Sequence, residues 1–480
     1  MVPTAADSCQ SYPIHQDVIT QLPSLNGYSH GAHLFATPPA TSPQTIVAEL
    51  QASLDELHCK IPWLAHHVVV RGAQPGNSGF ITSEPWPDSA PPNKVHHVDA
   101  RAFFPSFRSL LASCGSLVES KHLVPCPGLP ERHGLDLAPV LAVRAVFIDG
   151  GVFIVLSAHH SMIDGIGIMQ LWDYLATLMS GGKINNQDIR IANLDRARVL
   201  PLLPPGEPVK DYNHLFRPDP WPLPPPPQTE WRMFLMSRLA AAEIKKRAAK
   251  SLASLVGATT ADGGDRAASS SSSSTRISTD DALTAFCWQR ISAVRLALGC
   301  VDANHVSKFG RAVNGRRAVG LGPEYLGHMM LHAATRLPIG KVASSPLGEL
   351  AHQLRLDLEV SRTEWSVRSY VTFMAGVADK SKLLYGGLTN PRTDIGGTSL
   401  LPWAHRPPAR MGKLGEAKMA RKAEGAQMPG CMYFTSTCND MGDIQILLCL
   451  PKAELDGLAV DAEWSRYVQL FGRRIDSAKL

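Results

Sequence analysis

Residues 152–156, Val-Phe-Ile-Val-Leu, carry an apolar side chain at every position. A strand with one face in water alternates polar and apolar residues, so a run without alternation fits a strand covered on both faces. The preceding segment, Val140 to Ile148, is apolar except for Arg144, and Asp149-Gly150-Gly151 separates the two. That turn suits the positive φ angles of a tight hairpin. A central hairpin of this kind needs helices or a second layer on both sides. The run then enters His159-His160-Ser161-Met162-Ile163-Asp164-Gly165, after which Ile168, Leu171, Trp172, Leu175 and Leu178 recur at helical spacing.

The remaining chain predicts more of the same mixture. Ile46, Leu50, Leu54, Leu57 and Ile61 lie on one face of a helix over 41–60, with Thr41 or Ser42 as its cap and Pro43 in its first turn. Pro62-Trp63 ends it. Prolines crowd 200–228, including Pro224 to Pro227, which excludes a helix or central strand and marks a crossover between two halves. The run Ser269 to Ser274 lies in a low-complexity segment, 262–275, read as a mobile loop. Ser278-Thr279-Asp280-Asp281 opens a further helix with Leu283, Phe286, Cys287 and Ile291 as its buried stripe. With 480 residues, a length suited to two or three domains, a two-domain α/β (mixed α+β) protein follows, divided into 1–205, a Pro-rich linker 206–230, and 231–480.

Charge narrows the function classes. Lys plus Arg is 47 and Asp plus Glu is 42, a formal net charge of +5, too weak and too spread for a nucleic-acid binder. The 9 cysteines are scattered and form no Cys-x-x-Cys pair. The first residues lack the basic start and apolar run of a signal peptide, and no stretch nears the ~20 apolar residues of a membrane span. A reduced, cytoplasmic protein is the expectation.

His-x-x-x-Asp alone is weak evidence, since 18 histidines make about one such spacing expected by accident. Its place matters more: it sits where a buried strand leaves the core, and turns of that kind line clefts. A histidine there is neutral and proton-accepting at pH 7, so it serves as a general base. An aspartate four residues on is an orienting group that, if buried, needs a cationic partner. Metal binding is the rival reading, opposed by the adjacency of the two histidines and by the lack of a third ligand in the motif.

His159-His160-x-x-x-Asp164-Gly165 after a buried strand resembles the signature of the BAHD-type, coenzyme A-dependent acyltransferases, and specifically their fungal branch typified by trichothecene 3-O-acetyltransferase. Other segments resemble that branch in order: Gln21-Leu22-Pro23, Pro62-Trp63-Leu64-Ala65, Ile277 to Trp288, Asn314-Gly315-Arg316, Tyr325-Leu326-Gly327-His328, and Thr393-Asp394-Ile395 with Thr398-Ser399. Three departures stand out. The family's Asp-Phe-Gly-Trp-Gly is missing, its region (roughly Trp403 to Arg421) reading Pro407-Pro408-Ala409-Arg410-Met411-Gly412 instead. Asn314 replaces the usual aspartate, and His328 the usual asparagine.

The resemblance implies two similar chloramphenicol-acetyltransferase-like domains with mixed sheets and a tunnel between them, entered by acyl-CoA from one side and an alcohol from the other. It implies His160 as general base, Asp164 paired with Arg316 so as to tie the halves together, and Gly165 leaving room at the turn. A swap of the two charges is then expected to rescue folding better than either change alone, if the two residues touch. His159 is read as a packing residue. Thr398 and Ser399 are candidate donors to the oxyanion, and Lys245, Lys246, Lys250 and Ser251 candidate partners of the CoA phosphates. No permanently bound cofactor or metal is expected, only acetyl-CoA or another acyl-CoA as co-substrate. The expected acceptor is a hydroxylated fungal secondary metabolite such as an alkaloid or sesquiterpenoid, handled by a monomer with no nucleic-acid or membrane partner. The alternatives are a condensation-domain-like enzyme using carrier-bound acyl groups, a non-catalytic binding protein of the same fold, and a metal-dependent hydrolase using His159, His160 and Asp164.

Overall fold

The computed structural model describes residues 18–91, 93–112, 123–126, 137–261, 276–401, 409–422, 427–436 and 442–470. The serine-rich segment 262–275 and Pro407-Pro408 lie outside the described residues. In chain order the elements that position the site are β1 (Tyr28–Ala36), α1 (Pro43–Lys60), β2 (His96–Asp99), β3 (Leu141–Ile148), β4 (Gly151–His159) and α2 (Gly165–Met179). Beyond the crossover come β5 (Glu230–Met236), α3 (Arg238–Ala261), α4 (Thr279–Ala297), β6 (Val306–Asn314), β7 (Met330–Pro338), α5 (Leu347–Ser361) and α6 (Glu364–Gly376). β8 (Ile395–Ser399), β9 (Met419–Lys422), β10 (Cys431–Ser436), β11 (Ile444–Leu450) and β12 (Val468–Leu470) complete the set.

Two mixed sheets dominate. The first has strand order β9-β1-β4-β3-β2 and the second β7-β6-β8-β10-β11-β5-β12. β3 and β4 form the expected hairpin, antiparallel from Ile148 opposite Gly151 onward, with Gly150 at φ 75° in the turn. Every residue of β4 is buried. Val152, Ile154 and Leu156 pack with the apolar stripes of α1 and α2, while Phe153 and Val155 join Leu34, Val146 and Phe104 on the other face. That two-sided burial is why the strand lacks alternation.

Local signals hold elsewhere. Ser42 caps α1 by accepting from the Thr45 N–H at 3.1 Å, with Pro43 in the first turn. Ser278 and Asp281 form a reciprocal capping box at the start of α4. Asp281 is also gripped by Arg311 and Arg355, while Asp280 pairs with Arg311. The second core joins α3, α4 and α5 to β5, β8, β10 and β11 through Ile244, Phe286, Leu354, Ile395, Phe434 and Ile446. The proline-rich crossover contains one 3-10 turn, Asn213–Leu215, and neither a strand nor an α-helix over 200–228.

The chain does more than form two halves in series. β9, from near the C-terminal end, pairs antiparallel with β1, matching Gly31 with Lys422 and Leu34 with Met419. The segment just before it forms a short hairpin, Arg410–Met411 against Gly415–Glu416, with Gly412 at φ 45° packed on the Met179 carbonyl. These residues belong to the region in which the resemblance leads one to expect Asp-Phe-Gly-Trp-Gly. They lie at the C-terminal end of α2, ~20 Å along the helix from the motif turn at 1.5 Å rise per residue. No disulfide joins the described cysteines, and no helix among the described residues is long and apolar enough to cross a membrane.

Candidate active site at the end of the central strand

The turn after β4 is built tightly. The Met162 and Ile163 N–H groups donate to the His159 carbonyl at 2.8 and 3.0 Å, and the His160 N–H donates to the Gly27 carbonyl at 2.7 Å. The two histidines part company here. His159 is fully buried, its Nε2 3.0 Å from Asn26 Oδ1 and its ring edge-on to Tyr28 at 5.1 Å. His160 is half-buried, and its ring lies 5.1 Å from that of His328. His159 is therefore committed to the N-terminal segment, while His160 keeps access to solvent.

Asp164 ends the turn and caps α2, accepting from the Gly167 N–H at 3.0 Å. Its carboxylate meets Arg316 in a two-pronged pair, Nη1 to Oδ2 and Nη2 to Oδ1, both 2.8 Å, and accepts the Met329 N–H at 2.9 Å. The pair is sealed, with side chains 0% and 2% exposed. Arg316 directs its remaining donors to the carbonyls of Tyr325 (2.8 Å) and Gly327 (2.6 Å) and to Asn314 Oδ1 (3.3 Å). With those five bonds its donor inventory is complete. Asn314 offers its amide oxygen to Nη1 and also accepts the Arg316 backbone N–H at 3.1 Å. Burial by itself would raise the Asp164 carboxyl; the Arg316 charge and hydrogen bonds outweigh it and hold the group below its ordinary range. It thus stays ionised and turned away from His160, as an orienting group does. His159 and Asp164 point to separate partners, so the motif does not converge on one ion.

Gly165 has only Leu400 Cδ2 near its vacant Cβ position, at 3.9 Å, so protein packing does not require a glycine there. The required one is Gly167, where a Cβ would stand 2.5 Å from the Leu326 carbonyl oxygen and 2.7 Å from Ile163 Cγ2. Sequence reasoning passed over it, although the Gly-Ile-Gly spacing at a helix start was a usable signal. Gly167→Ala is expected to lower stability by roughly 1–3 kcal/mol, as overpacking does. It should also lower activity by pushing the 325–329 segment away from the turn. A chemical denaturation midpoint equal to wild type would refute the close contact.

The other candidates fall at different depths. Leu400, the residue nearest Gly165, follows β8, which places Thr398 on the same side of the chain and Ser399 on the opposite one. Ser399 Oγ accepts from the Leu401 N–H at 3.4 Å, whereas the Thr398 hydroxyl has no hydrogen bond among the described residues. Lys245, Lys246 and Lys250 are exposed on α3. Ser251 accepts the Gly348 N–H at 3.3 Å where α5 crosses α3. Arg247, between the lysines, is occupied by Glu463 and the Tyr467 hydroxyl.

A ring cluster lies behind His160. His328 is fully buried, and its Nε2 is 3.3 Å from the Tyr385 hydroxyl. Tyr385 stands edge-on to His332 at 4.2 Å. Lys308 clamps the adjoining loop, donating to the Gly386 and Leu388 carbonyls and to Thr389 Oγ1 at 3.3, 2.6 and 2.8 Å. Beyond His332 a cavity of about 340 Å³ opens between β7, α5, α6 and the crossover, lined by Lys210, Tyr212, Arg336, Asp357 and Tyr370 among others. It does not reach His160. The sequence singled out His328 only as a departure and gave no sign of Tyr385, which lies 57 positions further on.

Two family models match the chain: a trichothecene 3-O-acetyltransferase-like N-terminal domain over residues 28–178, and the Transferase family over 119–464. O-acetyltransferase SAT5 of Stachybotrys chartarum is 57% identical, with 99% of this chain and 100% of that protein covered. O-acyltransferase pigD of Monascus ruber is 35% identical over 95% and 98%. Among solved structures, the Fusarium sporotrichioides TRI101 enzyme complexed with coenzyme A and T-2 superposes with a TM-score of 0.83 at 26% identity, covering 96% of this chain and all of that one.

Proposed function

The chain belongs to the Transferase family, in the branch with a trichothecene 3-O-acetyltransferase-like N-terminal domain, and from that premise we propose how its residues move an acyl group from acyl-CoA to an alcohol. His160 accepts the proton of the acceptor hydroxyl while the oxygen attacks the thioester carbonyl. The tetrahedral intermediate collapses by breaking the carbon–sulfur bond, and the departing sulfur takes the proton back from His160, giving an ester and CoA thiol. No covalent acyl-enzyme is needed. The observation that carries this reading is the half-buried His160 ring on a turn whose aspartate is wholly engaged by Arg316. That leaves His160 as the group of the motif to handle the proton.

The oxyanion needs a donor, and Thr398 is favoured over Ser399 because its hydroxyl has no hydrogen bond among the described residues, whereas Ser399 Oγ accepts from the Leu401 N–H, and strand alternation puts Thr398 on the same side as Leu400. Thr398→Val is expected to reduce kcat by about 10²–10³-fold, the usual loss for one oxyanion donor, while Ser399→Ala stays near wild type. Equal and small effects in steady-state assays would remove both. The exposed Lys245, Lys246 and Lys250 are the proposed partners of the CoA phosphates, with Ser251 in a packing role.

Acetyl-CoA is the proposed donor, and a hydroxylated secondary metabolite of the kind handled by the fungal relatives the proposed acceptor. The lobes are 1–205 and 231–480 joined by 206–230, with Met419–Lys422 tying the second back onto the first sheet. A cytoplasmic monomer completes the reading. Purified protein supplied with acetyl-CoA and a panel of sesquiterpenoid, alkaloid and polyketide alcohols, followed by mass detection of acetylated product, tests it. CoA-independent turnover, or none with any acyl-CoA and alcohol, would sink it.

A further inference from the structure

His160 and His328 are set in place by the same ion pair. Asp164, on the turn that bears His160, accepts the Met329 N–H, and its partner Arg316 donates to the Gly327 carbonyl. The backbone on both sides of His328 is thus bolted to the backbone that carries His160. The rings meet at 5.1 Å with a 53° tilt. His328 has no exposed surface, so substrate touches His160 and not His328. Its Nε2 faces the Tyr385 hydroxyl, and its Nδ1 is buried with no hydrogen-bond partner among the described residues. An imidazole kept in such a place, with one nitrogen unsatisfied, costs stability relative to an apolar ring. It is therefore a poor choice for packing alone.

We infer that His328 is a positioning residue for His160: a ring held by Tyr385 that packs on the catalytic imidazole and keeps it oriented to take a proton. The inference rests on His160 being the general base. The groups facing His328 are His160, Asp164, Arg316, His332 and Tyr385. Asp164 and Arg316 neutralise one another. Burial first, and then the nearness of His160, push the His328 pKa well below the ordinary imidazole value. His332 is pushed down to about 4 by burial and by the Lys308 charge. At neutral pH the two rings behind His160, those of His328 and His332, are therefore uncharged.

The test uses the full chain, with acetyl-CoA alone as probe (CoA release, water as acceptor) and then with an accepted alcohol. In His328→Ala, kcat is expected to fall about 10–10²-fold, with the KM for acetyl-CoA within about twofold of wild type, because a base displaced by about 1 Å loses rate rather than binding. An NMR titration of the His160 ring, identified by its loss in H160A, is expected to move to higher pH in H328A as water enters and hydrates the imidazolium. Tyr385→Phe keeps the His328 ring and removes the hydroxyl that holds it, so it should lose part of the rate, less than H328A, and move the titration in the same direction. Unchanged kcat and titration in H328A would overturn the inference, as would a Y385F protein indistinguishable from wild type in both. If wild type releases no CoA at all, the acyl-transfer reading fails, while the titration still decides whether His328 controls the His160 ring.

Discussion

Replacing His160 with alanine is expected to lower turnover by about 10²–10⁴-fold, the range contributed by a positioned general base, while leaving the KM for acetyl-CoA close to wild type. An alcohol is a weak nucleophile at pH 7, and without a base its proton must leave to water in a partly enclosed site. Asp164 cannot take over, because Arg316 and the Gly167 and Met329 N–H groups occupy its oxygens. His159 cannot either, since it is buried against Asn26 and Tyr28. Stability should change little in H160A because the ring is half-exposed. His159→Ala is the informative contrast: it empties a fully buried site and should cost stability, with catalysis by the folded fraction largely kept. Steady-state kinetics with denaturation curves separate the two. A H160A protein that turns over normally would end the assignment.

The second large effect is on folding. Removing Arg316 strands the Asp164 charge at a site with no solvent, and breaking a buried pair in this way costs about 3–5 kcal/mol. That is a large part of the ~5–15 kcal/mol stability of a typical domain. An exposed pair such as Arg71–Glu84, with side chains 63% and 36% exposed, is by comparison screened by solvent and contributes little. Arg316→Lys should recover little, since one ammonium with three donors cannot serve two carboxylate oxygens, two carbonyls and an amide. The expected rescue by swapping the two charges does not survive the structure. A carboxylate at 316 would face the Tyr325 and Gly327 carbonyls, and a guanidinium at 164 would face the Gly167 and Met329 N–H groups. D164R/R316D should therefore be no more stable than either single variant; restored folding would show that the carbonyl and N–H partners are dispensable.

The pH dependence follows from the same pair. The folded Asp164 carboxyl lies below its unfolded value of about 3.9, so its contribution is present above that pH and is lost as pH falls through the folded pKa. The urea-midpoint gap between wild type and R316A should be widest near neutrality and narrow in acid. A gap that stays constant through acid would mean that the carboxylate is not the charge being stabilised.

Much of the architecture was legible in local pattern. Val152 to Leu156 announced a strand buried on both faces, and one face indeed meets α1 and α2 while the other meets Leu34 and Phe104. Ser42 with Pro43, and Ser278 with Asp281, marked helix starts because capping is settled within four residues. At the site, the motif located His160 and Asp164. Which hydroxyl to favour as a candidate donor was not legible: Thr398 and Ser399 are adjacent on β8, and only the fold shows Leu400 beside Gly165 and Ser399 engaged by the Leu401 N–H. Gly167 is demanded by the Leu326 carbonyl from the other half of the chain, 159 residues away in sequence. Tyr385 was invisible for the same reason.

From the amino-acid order alone came the element types, the central hairpin, the crossover and the turn that bears His160. All of these depend on backbone geometry repeating every two or 3.6 residues, or on spacings within one turn. Only the tertiary structure decided that Met419–Lys422 closes the first sheet, that one ion pair registers His160 against His328, and which neighbours each histidine keeps. Those pairings join segments more than a hundred residues apart. Their free energy is a sum over the contacts of the whole folded chain, which no local window contains.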